Sequence, residues 1–333
     1  TYTDFATKIM GNPSSLHGLG TTATRLLEAS RRQIAELLGV DSQEIFFTSG
    51  GTEGDNWILK GVAFEKRPYG NRIIVSNVEH PAVKNTAEWL KTQGFEVDFA
   101  PVDGDGFVIV SELEKLIRDE TILVSIMAVN NEVGTIQPIG EISDLLADKP
   151  TISFHVDAVQ AIGKIPLVAW LTERVDFAVL SAHKFHGPRG VGIVVAKKGK
   201  RLTPLLHGGG QEHNWRSTTE NLAGIAATSK ALRLALDDDD FKRQKVRAMK
   251  QVILEELEKH RKVHVFSKVE NFAPNILTFG IRGVRGEVVV HAFEQHEIYI
   301  STTSACSSKK NAAAGTLVAM NVPSKLATSA VRI

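Results

Sequence analysis

Only one cysteine, Cys306, occurs in 333 residues, so no disulfide can form within the chain, and the lone thiol suits a reducing compartment such as the cytosol. An excess of one charge is also missing. With 39 Lys and Arg against 38 Asp and Glu, nothing points to nucleic acid or a membrane surface as the partner. No apolar run approaches the roughly 20 residues of a membrane-spanning helix, and the first ten residues lack the charged start and apolar stretch of a signal peptide. Internal repeats and low-complexity tracts are absent. So is a methionine start, and the sequence stops at Ile333 directly after a strand-like run, so both ends read as clipped. Against these absences stand 43% apolar residues, enough for a large domain plus a smaller one, with a small neutral molecule as the expected substrate.

Short β-branched runs alternate with helical patterns from residue 45 to about 196, the signature of βαβ units and a mainly parallel sheet. The runs are 45–48, 72–76, 96–100, 121–129, 151–156, 175–180 and 192–195, which predicts a seven-stranded α/β domain. Stretches 81–92 and 110–118 have helical periodicity. A helix is expected over 222–236 and another over 241–260, with the four aspartates 237–240 as a solvated junction between them. Beyond it, 262–267, 275–281 and 297–300 read as strands around a helical 287–294. These patterns predict a large α/β domain over 1–239 and a smaller α+β domain over 240–333.

Candidate chemistry sits at the ends of the strands. Ser181-Ala-His-Lys184 follows a buried strand, and burial there would disfavour the charged amine and free it to form an imine with an aldehyde. A lysine that snorkels to the surface is the structural alternative. Asp157, in His155-Val-Asp157-Ala-Val-Gln160, ends a neighbouring strand at the edge where open α/β sheets bind ligands. A buried aspartate needs a cation, and a protonated pyridine nitrogen is one; equally, Asp157 could cap a helix. Thr48-Ser-Gly-Gly51-Thr52-Glu53 passes from strand through glycines into a helix, whose first N–H groups can hold a phosphate or merely make a turn. His183 and His186 lack an evident third metal ligand, so no metal site is expected.

Together these segments resemble the fold-type I pyridoxal-phosphate enzymes, and within them the cysteine desulfurases that feed iron–sulfur cluster assembly. The resemblance spans nearly the whole chain, through Gly11-Asn-Pro-Ser-Ser-Leu-His17, Thr48–Glu53, Glu79-His-Pro-Ala82, Val129-Asn-Asn-Glu-Val-Gly134, His155–Ala158 with Gln160, Ser181–Lys184, His207-Gly-Gly-Gly210 and Arg216-Ser-Thr-Thr219. It implies that Lys184 binds the cofactor covalently, Asp157 pairs with the ring nitrogen and His80 stacks on the ring, although His80 alone would read as a loop residue. Gln160 and Asn131 would lie near the ring hydroxyl. Gly51, Thr52, Ser181 and His183 would hold the phosphate, with Thr219 reaching the phosphate of a neighbouring subunit in a homodimer. Asn12, Asn131 and Arg332 would contact the substrate, Arg332 gripping its carboxylate.

Cys306 lies in a small, polar stretch, Ser301 to Gly315, that reads as a mobile exposed loop, with Lys309 and Lys310 favouring its thiolate. A buried, inert cysteine is the alternative. The resemblance matches residues 304–308 to the segment carrying the catalytic thiol, and the spacing to Ala319-Met-Asn-Val322 to the long-loop group. The lysine- and alanine-rich 309–315 departs from the pattern and puts acceptor recognition in doubt. The family's N-terminal Asp-Asn-Ala-Ala-Thr-Thr segment is missing. The expected reaction takes sulfur from L-cysteine, giving L-alanine and a persulfide on Cys306 that is passed to an acceptor protein. A selenocysteine lyase, an aminotransferase of the same fold and a catalytically idle assembly scaffold are the competing readings.

Overall fold

The computed structural model describes residues 2–303 and 315–333. Helices α1 (Tyr2–Lys8) and α2 (Gly18–Leu38) precede β1 (Ile45–Thr48), α3 (Gly51–Lys66), β2 (Arg72–Ser76), α4 (Pro81–Thr92), β3 (Glu96–Ala100), α5 (Val110–Leu116), β4 (Thr121–Ser125), α6 (Ile139–Leu145), β5 (Ser153–Asp157), β6 (Phe177–Ser181) and β7 (Gly192–Ala196). Then come α7 (Leu222–Leu236), α8 (Asp239–Leu257), β8 (Val263–Val265), β9 (Thr278–Ile281), α9 (Gly286–Glu294), β10 (Ser301–Thr302), α10 (Gly315–Ala319), α11 (Ser324–Ala327) and β11 (Ala330–Arg332).

The first seven strands form one sheet in the order β1-β7-β6-β5-β4-β2-β3. Pairs β2–β3, β2–β4, β4–β5 and β5–β6 are parallel, while β7 runs antiparallel to both β6 and β1. Strands β4 to β7 are buried along their whole length, which is why they read as continuous apolar runs instead of alternating ones. Each face has its own core. Phe154 and Val156 of β5 pack with Ile34 of α2 and Trp170, and on the other face Trp57 and Ile58 of α3 pack with Val83 and Leu90 of α4. The period of two along β5 therefore turns His155 and Asp157 toward the α3 side.

A second sheet, in the order β10-β11-β9-β8, holds a small core of Phe279, Val289 and Val331. Here the structure corrects several expected boundaries. Residues 297–300 are not a strand, because Glu297 takes a left-handed backbone (φ 59°) that an extended chain cannot adopt, and pairing begins at Ser301. The expected strand over 121–129 ends at Ser125, after which the chain turns to bridge Val129 with Ile136. Asp239 and Asp240 fall inside the first turn of α8 and pair with Arg243, so the acidic junction is partly a helix start with favourable charge at its N-terminus.

Sequence reading missed one anchor altogether. Arg31 of α2 and Glu212 are 3% and 6% exposed and form a buried bidentate pair, with Nη1–Oε2 3.0 Å and Nη2–Oε1 2.7 Å. Glu212 also accepts the Phe47 N–H at 2.8 Å. Glu212, His213 and Asn214 all adopt left-handed backbones (φ 48°, 57° and 67°), each costing on the order of 1–2 kcal/mol, so the ion pair opposes local strain. The turn sets up Trp215, which stacks on Phe46 with centroids 5.0 Å apart, and Arg216, which grips Glu53 at 2.6 and 2.9 Å. Glu212→Ala leaves the buried Arg31 with only the part-exposed Glu28, 3.2 Å from its Nε, as counter-charge, and a loss of about 3 kcal/mol in urea unfolding free energy is expected. A change below about 1 kcal/mol would show that the pair is not what holds the turn.

Candidate active site

β1, β5 and β6 all end at the same edge of the sheet, and the candidate residues gather there. Asp157 is the last residue of β5; it is 4% exposed, and its Oδ1 accepts the Val159 N–H at 2.9 Å. This is an Asx-turn bond and not the helix cap that sequence reading left open, because no helix starts directly after β5, and the carboxylate remains dry. Burial pushes it up to about 6, against the lowering effects of that N–H and of the Lys184 charge. A dry carboxylate of this kind fits a cationic partner.

Lys184 follows β6 in the short helical turn Ala182–Phe185. The expectation that it is buried is corrected: its side chain is exposed in the single chain, because the turn lifts it off the strand end beyond the last ladder bond. Its charge nevertheless acts on Asp157, His80, His183 and Lys164. With His183 and Lys164 it lines a cavity of about 770 Å³ running toward α7 and α8.

The N-terminus of α3 supplies the third element. Its N-cap, Gly50, makes no side-chain cap bond, so among the described residues no side chain occupies the first N–H groups of this 16-residue helix. A Cβ at Gly51 would come within 2.7 Å of Val159 Cγ2, and one at Gly192 within 2.6 Å of the Gly50 carbonyl carbon. Only glycines let α3 start this close to the ends of β5 and β7. Ser181 Oγ lies 3.0 Å from His183 Nδ1 beside this start, and Thr52 is exposed there. Burial first, then Lys184, lowers the His183 pKa. Bare N–H groups, a hydroxyl and an imidazole are a donor set that fits a phosphate.

His80 is half-buried and caps α4 by accepting the Ala82 N–H on Nδ1 at 3.1 Å, which leaves Nε2 to carry the proton. Burial and then the Lys184 charge lower its pKa, so the ring is neutral at ordinary pH. Gln160 Oε1 accepts from Lys164 Nζ at 2.9 Å, and burial brings Lys164 down to about 8. Arg332 donates to the Asn131 carbonyl at 2.5 Å, joining two of the three expected substrate residues. Asn12 is not brought to them: it is exposed and accepts the Ser14 N–H at 2.8 Å in a local turn. Thr219 is exposed and lines a separate cleft with Ser49 and Arg216. Cys306 lies outside the described residues.

Three side chains that sequence reading did not single out as site residues sit behind Asp157. Asp55 of α3 is buried; Glu79 precedes His80; and His155 is bonded to Ser125 Oγ at 2.8 Å, its register partner on β4. The available signal was that Glu79 and His155 already stood inside the quoted motifs.

The Aminotransferase class-V family profile matches residues 1–331. A NifS/IcsS protein homolog from Lactobacillus delbrueckii subsp. bulgaricus is 54% identical over 334 residues, covering 100% of this chain and 87% of that protein. Cysteine desulfurase IscS of Methanosarcina thermophila is 41% identical over 329 residues, covering 99% of this chain and 81% of that protein. Among solved structures, a NifS-like protein superposes with a TM-score of 0.93 at 40% identity, covering 100% of this chain and 88% of that one. SspA in complex with cysteine gives 0.85 at 28% identity, covering 100% and 92%.

Proposed function

The chain belongs to the class-V aminotransferase family, and from that premise we infer its reaction: it is a pyridoxal-phosphate-dependent cysteine desulfurase. The observation that carries the site assignment is a dry Asp157 at a strand end, under the charge of Lys184, on the same sheet edge as the uncapped start of α3. The cysteine held by the similar SspA structure supports L-cysteine as the substrate here.

We propose that Lys184 would hold the cofactor covalently, with Asp157 serving its ring nitrogen and neutral His80 its ring. Gly51, Thr52, Ser181 and His183 would hold the phosphate, and Gln160 and Asn131 would serve the ring's remaining edge. Bound there, pyridoxal phosphate supplies a sink for negative charge at the substrate α-carbon. Lys184 moves the proton at that carbon. Arg332 exchanges its contact with the Asn131 carbonyl for the substrate carboxylate, with Asn131 assigned to the substrate as well. The Cys306 thiolate attacks the substrate sulfur: a sulfur–sulfur bond forms, the carbon–sulfur bond breaks, and its electron pair stays with the carbon, which is then protonated to give alanine. An acceptor protein removes the sulfur.

A second copy of the chain is proposed to complete the site through Thr219. Its exposure supports this, as do Met10, Leu16 and Leu19, which are 83%, 101% and 64% exposed where α1 joins α2, an apolar patch that suits a subunit contact. Sedimentation at twice the chain mass is expected; a monomer would remove Thr219 from the site. The two sheets support a division near residue 239, and the lone thiol supports a reducing compartment. The reaction itself is tested by incubating the purified holoenzyme with L-cysteine and a reductant: sulfide and alanine should appear in equal amounts, and alanine-free transamination would sink this reading.

A further inference from the structure

The acids behind Asp157 have no role in the reaction as described, yet their environment is unusual. Asp55, Glu79 and His155 are 1%, 7% and 0% exposed, and among the described residues Asp55 Oδ1, Glu79 Oε2 and His155 Nε2 have no hydrogen-bond partner. Glu79 Oε1, in contrast, takes two donors, the Ser76 hydroxyl and the Met127 N–H, the latter at 2.8 Å. Two donors on one oxygen and none on the other is the pattern of a neutral acid whose proton sits on the bare oxygen. Asp55 Oδ1 stands 3.6 Å from His155 Nε2, too far for a hydrogen bond, and His155 brings no charge, since burial takes it down to about 3.

Burial, followed by Asp157 and Glu79, raises Asp55 well above the carboxylate range; burial, with Asp157 adding to it, pushes Glu79 up to about 8. Asp157 has, besides its backbone donor, what the other two lack: the charge of Lys184 acting on it. Three buried carboxyls that act on one another's charge cannot all ionise, and the charge settles on the one on which Lys184 acts. We propose that Glu79 and Asp55 are positioning residues for the cofactor's ring nitrogen: two protonated acids that hold the cluster to one negative charge and keep that charge on Asp157. The proposal rests on the assignment of Asp157 to that nitrogen.

The holoenzyme is the sample. Its infrared spectrum at neutral pH should contain buried protonated-carboxyl bands, one of which disappears in Glu79→Gln and another in Asp55→Asn. With ¹⁵N-labelled cofactor, the ring-nitrogen resonance should report a protonated nitrogen near neutrality in wild type and in Glu79→Gln alike, because an amide replaces a neutral acid. In alkali the two should part. Wild-type Glu79 ionises and adds a second negative charge, so the ring nitrogen should lose its proton about one pH unit lower in Glu79→Gln. A merely structural glutamate would not move that titration. Wild type without protonated-carboxyl bands, or coincident nitrogen titrations, would overturn the proposal; if Glu79→Gln does not fold, Asp55→Asn decides it in the same way. A wild-type protein that binds no pyridoxal phosphate would instead bring down the site assignment, and the infrared bands would still judge the protons.

Discussion

Lys184→Ala should lower turnover of L-cysteine by about 10²–10⁴-fold, the loss that accompanies removal of a positioned proton-transfer group. The chain should still fold. Lys184 is exposed, it stands on a short turn past the end of β6, and the core residues around it, Ala182 and Phe185, are untouched by the change. A truncation of that kind usually shifts stability by no more than about 0.5 kcal/mol. The covalent hold should vanish as well: after borohydride reduction of the wild type, the labelled peptide contains Lys184, and in the variant no peptide is labelled. The charge effect is separable, because His80 and His183 are both pushed down partly by Lys184, and both should titrate at higher pH in the variant. Lys164 is the test of the alternative. It borders the same cavity, burial brings it down to about 8, and wild-type reduction that labelled Lys164 would move the catalytic amine there.

Much of this site was legible because the residues that form it also punctuate strands. Asp157 ends β5, Ser181 ends β6 and Lys184 follows in the next turn, so a reader who places the strands places the cavity edge. Pro81–Thr92 forms its helix over the span its periodicity predicts, since His80 and Pro81 give a local start signal. The hidden features depend on distant partners. Nothing near Glu212 in sequence announces a left-handed turn, because its cause is Arg31, 181 residues away, together with the Phe47 N–H. The exposure of Lys184 was missed for a related reason: an apolar strand suggests that the residues after it are buried too, and only the backbone of the 182–185 turn tells where the side chain leaves the sheet. Asp55 and Glu79 were passed over because a carboxylate in a helix or beside a motif reads as a surface charge until the neighbouring strands close over it.

Cys306→Ala should abolish the persulfide and, with it, sulfide and alanine together, each falling on the order of 10²-fold or more, while the cofactor stays bound with its visible absorbance unchanged. The argument is one of placement. β10 pairs with β11 so that Ser301 lies opposite Arg332, and the described chain stops two residues further on, at Thr303. It resumes at Gly315, and the next residue, Thr316, bonds to Glu132 Oε2 at 3.2 Å through its N–H and to Asn130 at 3.1 Å through its hydroxyl. Both ends of the segment that contains Cys306 are therefore rooted beside Asn131 and Arg332, the residues assigned to the substrate. Asp157 takes its donor from Val159, and α3 starts against Val159 and Gly192, all outside that segment, which is why cofactor binding should survive while sulfur transfer does not. An aminotransferase on this scaffold would be indifferent to the change, because exchange of an amino group needs no thiol. A variant that keeps releasing sulfide and alanine in equal amounts would mean that another group accepts the sulfur, and Cys306, the chain's one cysteine, would lose its role.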